Sequence, residues 1–396
     1  MTSPGTNYDI IIIGGGIIGS SIAYFLSGNR SFKGSVLVIE KAPDYIHSST
    51  TLSVGGIRQQ FSLPENIEIS KFGIHFIKNI KEYLTVNGEY PGLSFVENGY
   101  LFLASHAGKD VLQSNYNQQK ELGADVALLS PESLQLRFPW LSVDDLSAGC
   151  FGLSGEGWID PYSLLRGFIS SARNQGVDYI KDEVIRISHD SGTVRAVSTI
   201  NGQEYGCGMV INATGRDASK IARMIGIDDF PVHSKKRQVY VFRCLESIKN
   251  CPLVIDPSGV YFRSEGRNYL CGVSPPQNND PDSEDFDIDN SWFDDVIRPV
   301  LAKRVEIFDA IRREHTWAGH YAVNILDHNA ILGPHPEIKN FIFANGFSGH
   351  GLQQSPAVGR AISELITEGK YVNIDLGRFS YNRLNSKDFI RESNIV

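Results

Sequence analysis

Cysteine is scarce in this chain, and the few present do not group. Five cysteines (Cys150, Cys207, Cys244, Cys251 and Cys271) are scattered through 396 residues, with no CxxC pair and one left over. That pattern speaks against a disulfide framework or a zinc site and fits a reduced compartment. Positive charge is short as well: 37 Lys and Arg against 45 Asp and Glu give a net charge of −8, which argues against nucleic acid as a partner. No run approaches the roughly 18–20 apolar residues that a membrane span requires. The first residues show neither a basic region followed by an apolar run nor an Arg-rich amphipathic presequence, so secretion is not expected. A cytoplasmic location is expected, with the mitochondrial matrix as the alternative. His315, His320, His328 and His335 are irregularly spaced and lack carboxylates at ligand intervals, so no metal site is expected. Internal repeats and low-complexity tracts are absent too.

What is present starts at the N-terminus. The chain is longer than the roughly 250–300 residues at which single cores stop growing, so more than one folding unit is expected. Tyr8 to Ile13 is a β-branched apolar run that reads as a buried parallel strand. Gly14, Gly16 and Gly19 follow as GxGxxG, a helix opens at Ser20, and Val36 to Ile39 forms a second strand ending at Glu40. This is a βαβ unit with a dinucleotide fingerprint: the glycines permit a tight turn, backbone approach to a pyrophosphate and close helix packing. Glu40 stands where it can accept hydrogen bonds from a ribose, and the helix start offers free N–H groups to phosphate.

Later segments are less explicit. Ser48 to Thr51 and Gly55 to Arg58 put hydroxyls and small residues after the second strand, as either a cofactor-lining segment or an ordinary polar loop. Val184 to Ser188 and Val194 to Thr199 read as a hairpin around Asp190-Ser-Gly192. Ile211 to Gly215 ends a late strand in a turn. The acidic stretch Asp280 to Asn290 reads as a solvated loop, and Asn66 to Leu84 as one helix. Gly346-Phe-Ser-Gly-His-Gly351 lies between the strand Phe341 to Ala344 and a helix from Leu352 to Thr367 that ends at Gly369.

The N-terminal fingerprint, Thr51 to Phe61, Lys236 to Phe242 and Gly346 to Gln354 appear in the order that resembles the D-amino acid oxidase/sarcosine oxidase superfamily of flavoproteins. Their detail is similar to a branch associated with assembly of respiratory complex I. The resemblance implies an α/β fold: a split Rossmann-type FAD-binding domain (residues 1–90, 145–225 and 322–372) and a second α+β substrate domain on an antiparallel sheet (91–144 and 226–321), then a tail at 373–396. It implies FAD held by Gly14, Gly16, Ile17, Ile18, Gly19, Glu40, Lys41, Ser49, Thr50, Thr51, Gly56, Val184, Ala213, Thr214 and Gly215. Gly346, Phe347, Ser348, Gly349, His350, Gly351 and Leu352 complete that set.

Arg58, His350 and Gln353 are the implied catalytic residues, with Arg58 suited to a substrate carboxylate by its guanidinium fork. Tyr240, Tyr261 and Phe262 are candidates for the pocket roof. The implied reaction removes a hydride from the carbon next to nitrogen of an amino acid or N-methylated amino acid. The electron acceptor is O2, a quinone or an electron-transfer protein. The alternatives are a 2-hydroxy acid oxidising flavoenzyme, with His350 as base, and an assembly factor that binds respiratory-complex subunits. Departures from the family pattern shape the reading. No cysteine lies near Thr316 to His320, and Leu52 stands where related dehydrogenases carry a flavin-linking histidine, with His47 a few residues away. FAD is therefore expected to be non-covalent. Cys271 and Gln353 align with two family lysines, one promoting reaction with oxygen and one at the substrate carboxylate, so dehydrogenase behaviour is expected over fast oxidase behaviour.

Overall fold

The computed structural model describes residues 6–393, so positions 1–5 and 394–396 of the expected domain division lie outside the described residues. The run Ile10–Ile13 is buried because it lies in the middle of an eight-stranded sheet. The order across that sheet is Ile331–Pro334, Phe341–Asn345, Glu204–Asn212, Asn7–Ile13, Val36–Glu40, Asp178–Lys181. The four pairings from Phe341–Asn345 to Asp178–Lys181 are parallel. The hairpin Val184–Asp190/Thr193–Thr199 is added on Glu204–Asn212. Successive residues of a strand face opposite ways. Ile10, Ile12, Val36 and Val38 therefore enter one core, under the helices Ile17–Gly28, Pro161–Asn174 and Gly351–Glu368. Ile11, Ile13, Leu37 and Ile39 enter another, against the hairpin and the helix Ala218–Arg223. Two covered faces are why these strands read as unbroken apolar runs. The helices Ile17–Gly28 and Gly351–Glu368 touch closely: a Cβ at Gly359 would lie 2.2 Å from Ser21 Oγ.

The second sheet also has eight strands, ordered Arg312–Asn324, Val232–Arg243, Asn268–Gly272, Tyr261–Glu265, Leu253–Ile255, Tyr100–Ala104, Ala148–Gly152, Val126–Leu129. Its pairings are antiparallel except between Leu253–Ile255 and Tyr100–Ala104. One face packs on the helices Pro131–Arg137 and Arg298–Arg304 around Phe242, Phe262, Phe293 and Phe308. The strand Ala148–Gly152 corrects the expected boundary at 145: it pairs Leu101 with Phe151 and Leu129 with Gly149, which ties it to the second sheet. The long strand Arg312–Asn324 likewise carries its pairing with Val232–Arg243 past residue 322.

Two local expectations change. The helix expected over 66–84 is divided into Pro64–Lys78 and Ile80–Leu84, because the Asn79 side chain takes the His75 carbonyl at 2.8 Å and its backbone leaves helical geometry. The described part of the tail is docked, with Leu376, Phe379 and Ile390 buried. Arg383 anchors it by donating to both Asp327 carboxylate oxygens at 2.8 and 3.0 Å. Both partners are almost fully buried, so losing one leaves an uncompensated interior charge. Arg383→Ala is expected to cost about 3–5 kcal/mol of stability, read by urea denaturation of the FAD-loaded protein.

Candidate functional site

A cavity of ≈ 440 Å³ opens at the carboxyl ends of the parallel strands, where ligands of open α/β sheets sit. Gly14, Gly16, Ile17 and Ile18 form its base, and Glu40 and Lys41 lie at the end of the second strand. Ser49, Thr50, Val184, Ala213, Thr214 and Gly215 line its walls, and Phe347, Ser348, Gly349, Gly351 and Leu352 close the far end. The Glu40 carboxylate is set in place by the backbone N–H groups of Gly15 and Ala42, each at 2.8 Å. Of the expected cofactor residues, Gly56 and His350 line a neighbouring pocket instead. Gly19, Thr51 and Gly346 line neither of these two cavities. Gly19 packs on the turn, where its Cβ would lie 1.9 Å from the Gly14 carbonyl oxygen. Thr51 is turned to Ser48, and Gly346 holds a left-handed turn at φ 72° beside Asn324.

Gly16 behaves differently from its neighbours in the fingerprint. Its backbone is extended (φ −64°, ψ −172°), and the nearest protein atom to a Cβ there is Thr50 Oγ1 at 4.0 Å. Neither backbone strain nor protein packing demands glycine at this position, yet it lines the cavity. Close approach of a ligand would account for it, and the helix Ile17–Gly28 presents an N-terminus with no acid in its first turn, where the Ile17 N–H donates to Thr50 Oγ1 at 3.4 Å. The residues present therefore fit a dinucleotide pyrophosphate.

The acidic stretch 280–290 is a largely exposed loop, as expected, and it is also tied down by ion pairs. Asp280 accepts a two-pronged contact from Arg237 at 2.8 and 3.0 Å, and Asp282 pairs with His233 and Lys235 at 2.7 and 2.8 Å. Asp285 pairs with Lys236 at 2.6 Å and Glu284 with Lys220 at 2.7 Å. Along this strap Phe286 packs on residues at the cavity rim: its ring lies 4.6 Å from that of His47, 4.7 Å from that of His320, and 5.2 Å from the Arg216 guanidinium. Arg216 donates to His320 Nδ1 at 2.9 Å; burial and that cation push the imidazole pKa down to about 4, so it is neutral near pH 7. The signal in the sequence was the basic run Lys235-Lys236-Arg237, matched by acids at 280, 282 and 285.

The neighbouring pocket, ≈ 60 Å³, shares Ser53, Tyr321, Ser348, Gly349 and Leu352 with the large cavity. It brings together all three residues expected to be catalytic, Arg58, His350 and Gln353, and adds Tyr100, Arg237 and Tyr261. The Arg58 backbone N–H donates to Gln353 Oε1 at 2.8 Å, its Nη2 donates to His350 Nε2 at 3.1 Å, and its guanidinium lies 4.5 Å over the Phe61 ring. Arginine has no acceptor to offer, so His350 Nε2 must be the acceptor and Nδ1 carries the ring proton. Burial, and then the Arg58 charge, hold the His350 pKa well below the usual histidine range. Burial pushes Tyr100 up to about 12 and Tyr261 well above the usual phenol range, so both remain hydroxyl donors.

Of the three roof candidates, Tyr261 lines the small pocket. Tyr240 and Phe262 alternate onto the opposite face of the sheet, where Tyr240 donates to the Asp289 carbonyl at 2.6 Å and Phe262 packs on Phe308. Cys271 faces that core too, so it is not the pocket-facing counterpart of a family lysine. Sequence reasoning missed Arg237, Phe286 and Glu156, a fully buried acid behind Arg58. A valine at Gly16 is expected to abolish flavin binding while leaving the thermal stability of the flavin-free protein unchanged. A valine at Gly19 should destabilise that protein outright, and a melting curve beside a flavin absorbance reading separates the two.

A family model described as FAD dependent oxidoreductase, DAO, matches residues 9–365. FAD-dependent oxidoreductase domain-containing protein 1 of Xenopus laevis is 41% identical over 429 residues, spanning 99% of this chain and 86% of that protein. Mitochondrial sarcosine dehydrogenase of Mus musculus is 26% identical over 97% of this chain, but over 42% of its own length. Among solved structures, L-proline dehydrogenase from P. horikoshii superposes with a TM-score of 0.85 at 27% identity, covering 98% of this chain and 100% of that one. The chain therefore belongs to the DAO family of FAD-dependent oxidoreductases, with FAD as its cofactor.

Proposed function

We propose that the protein oxidises the carbon–nitrogen bond of a small amino acid or N-methylated amino acid, and that it works as a dehydrogenase. The observation that carries this reading is Arg58: a buried guanidinium in a small pocket that opens onto the cofactor cavity, with its Nη2 on His350 and its backbone N–H on Gln353. Such a fork suits a substrate carboxylate, which would fix the reacting carbon near the wall shared by the two cavities. At about 10–15 Å³ for each water-sized group, the pocket holds roughly four to six non-hydrogen atoms. Bound FAD supplies the two-electron acceptor.

The remaining requirements fall on the chain itself. The amine must lose its proton before the carbon–nitrogen bond is oxidised. Arg58 and Arg237 lower an amine pKa in this pocket, because a cation disfavours a second cation nearby. No carboxylate base is then needed at the carbon, and the released imine is hydrolysed by water. A 2-hydroxy acid would need a base for its hydroxyl, yet the His350 Nε2 lone pair is engaged by Arg58. Among the described residues lining the pocket the cations are guanidinium groups, with no lysine to assist oxygen, which favours a quinone or an electron-transfer protein as acceptor. The names of the related sarcosine and L-proline dehydrogenases support the amine class. The enclosed pocket favours turnover over a role confined to binding respiratory-complex subunits. FAD attachment is non-covalent in this reading, although His47 lines the cavity rim.

Anaerobic mixing of FAD-loaded protein with N-methyl amino acids, proline, other amino acids and 2-hydroxy acids tests the proposal. Bleaching of the oxidised flavin band by an amino acid or N-methyl amino acid is expected, slowed by at least about 100-fold in Arg58→Met, as for loss of a buried charged contact. Bleaching by hydroxy acids alone would overturn it.

A further inference from the structure

Glu156 lies between the strands Ala148–Gly152 and Gly157–Trp158 and is 0% exposed. Its carboxylate accepts the Gln59 backbone N–H at 2.6 Å and Gln60 Nε2 at 2.8 Å, so it grips the two residues that follow Arg58. Gln59 Nε2 in turn donates to the Ser154 carbonyl at 3.0 Å. The backbone leaves room for this acid: a Cβ at Gly152 would lie 1.9 Å from Glu156 Oε2, and Gly155 and Gly157 flank it at φ 75° and 153°. A carboxylate that needs a buried cradle behind a buried cation is poor design for stability alone, since burying a charge is costly.

We propose that Glu156 is a positioning residue of Arg58, acting through Gln59 and Gln60, and that it takes up one proton from solvent when a substrate carboxylate binds there. This rests on the reading that Arg58 receives that carboxylate. Before binding, Arg58 stabilises the Glu156 anion. A second anion on the same guanidinium withdraws part of that stabilisation and repels Glu156, so the proton becomes the better partner.

Among the described residues around it, Glu156 is the group able to respond. Burial raises its pKa to about 7, opposed by hydrogen bonds from Gln59 and Gln60, by the Arg58 charge and by the Tyr100 backbone. From the strand Tyr100–Ala104 the titratable neighbour is Tyr100, up at about 12; from Ala148–Gly152 it is Cys150, whose thiol burial pushes far above its ordinary range. His350, on the other side of Arg58, stays neutral because its pKa is driven down. Below pH 7 Glu156 is already protonated and carboxylate binding is independent of pH. Above it, each bound carboxylate draws a proton from solvent, so affinity falls as pH rises.

The test uses FAD-loaded protein and acetate, which carries a carboxylate but no amine to titrate. Dissociation constants are read from the flavin visible spectrum between pH 6 and 9, and proton uptake from calorimetry in two buffers of different ionisation enthalpy. At pH 8 close to one proton per acetate is expected, with Kd rising about tenfold per pH unit above neutrality. In Glu156→Gln the uptake and the pH dependence vanish, and with a reducing substrate the change above neutrality appears in KM rather than kcat. Acetate that binds with a flat pH profile and no proton uptake overturns the role of Glu156 and leaves the carboxylate reading intact. Acetate that fails to bind at any pH overturns both. If Glu156→Gln does not fold, the wild-type calorimetry still decides.

Discussion

A guanidinium held away from water must be answered on every side, and Arg58 is the place where this molecule concentrates that demand. Its backbone is fixed by Gln353 from the helix Gly351–Glu368, its side chain by His350 from the loop before that helix, and its flank by the Phe61 ring. The following two residues are held by Glu156 from the second sheet's side of the molecule. Both sheets therefore meet at one charge. The small pocket exists because these elements converge there, and its opening onto the larger cavity follows from the shared residues Ser53, Tyr321 and Ser348.

Cover for the larger cavity is electrostatic in origin. The strand Val232–Arg243 pairs with Asn268–Gly272 only from Val239 onward, which leaves its first half with one neighbour. The acidic strap takes that place, bridging Lys235 to Asp282, and so carries Phe286 to His47, His320 and Arg216. Several of its ion pairs are half-exposed, and pairs of that kind contribute little individually. Their collective effect is to fix the strap's register, with Arg237 and Asp280, both largely buried, as its best-shielded contact.

Much of this was legible in the sequence, for physical reasons. The first βα unit has a short-range signature: unbroken apolar strands, a glycine turn and an acid at a fixed distance, all set by local geometry. Gly346 to Gly351 and Arg58 were legible through resemblance, because a family motif carries long-range information that composition does not. What escaped depends on contacts between distant segments. Glu156 looks like one acid among many until Gln59 and Gln60 are brought against it, and the acids at 280–285 look solvated until Lys235 to Arg237 face them. Tyr240 and Phe262 were misplaced for a simpler reason. Period-2 alternation assigns strand residues to two faces but does not say which face holds the site.

The central claim is that Arg58 holds a carboxylate beside the flavin, and a crystal structure of the FAD-loaded protein with acetate bound tests it most directly. The account predicts the flavin ring at the wall shared by the two cavities, with acetate paired to the Arg58 guanidinium and enclosed by Tyr100, Tyr261 and Tyr321. Acetate bound elsewhere, or a flavin ring lying away from that wall, would contradict it.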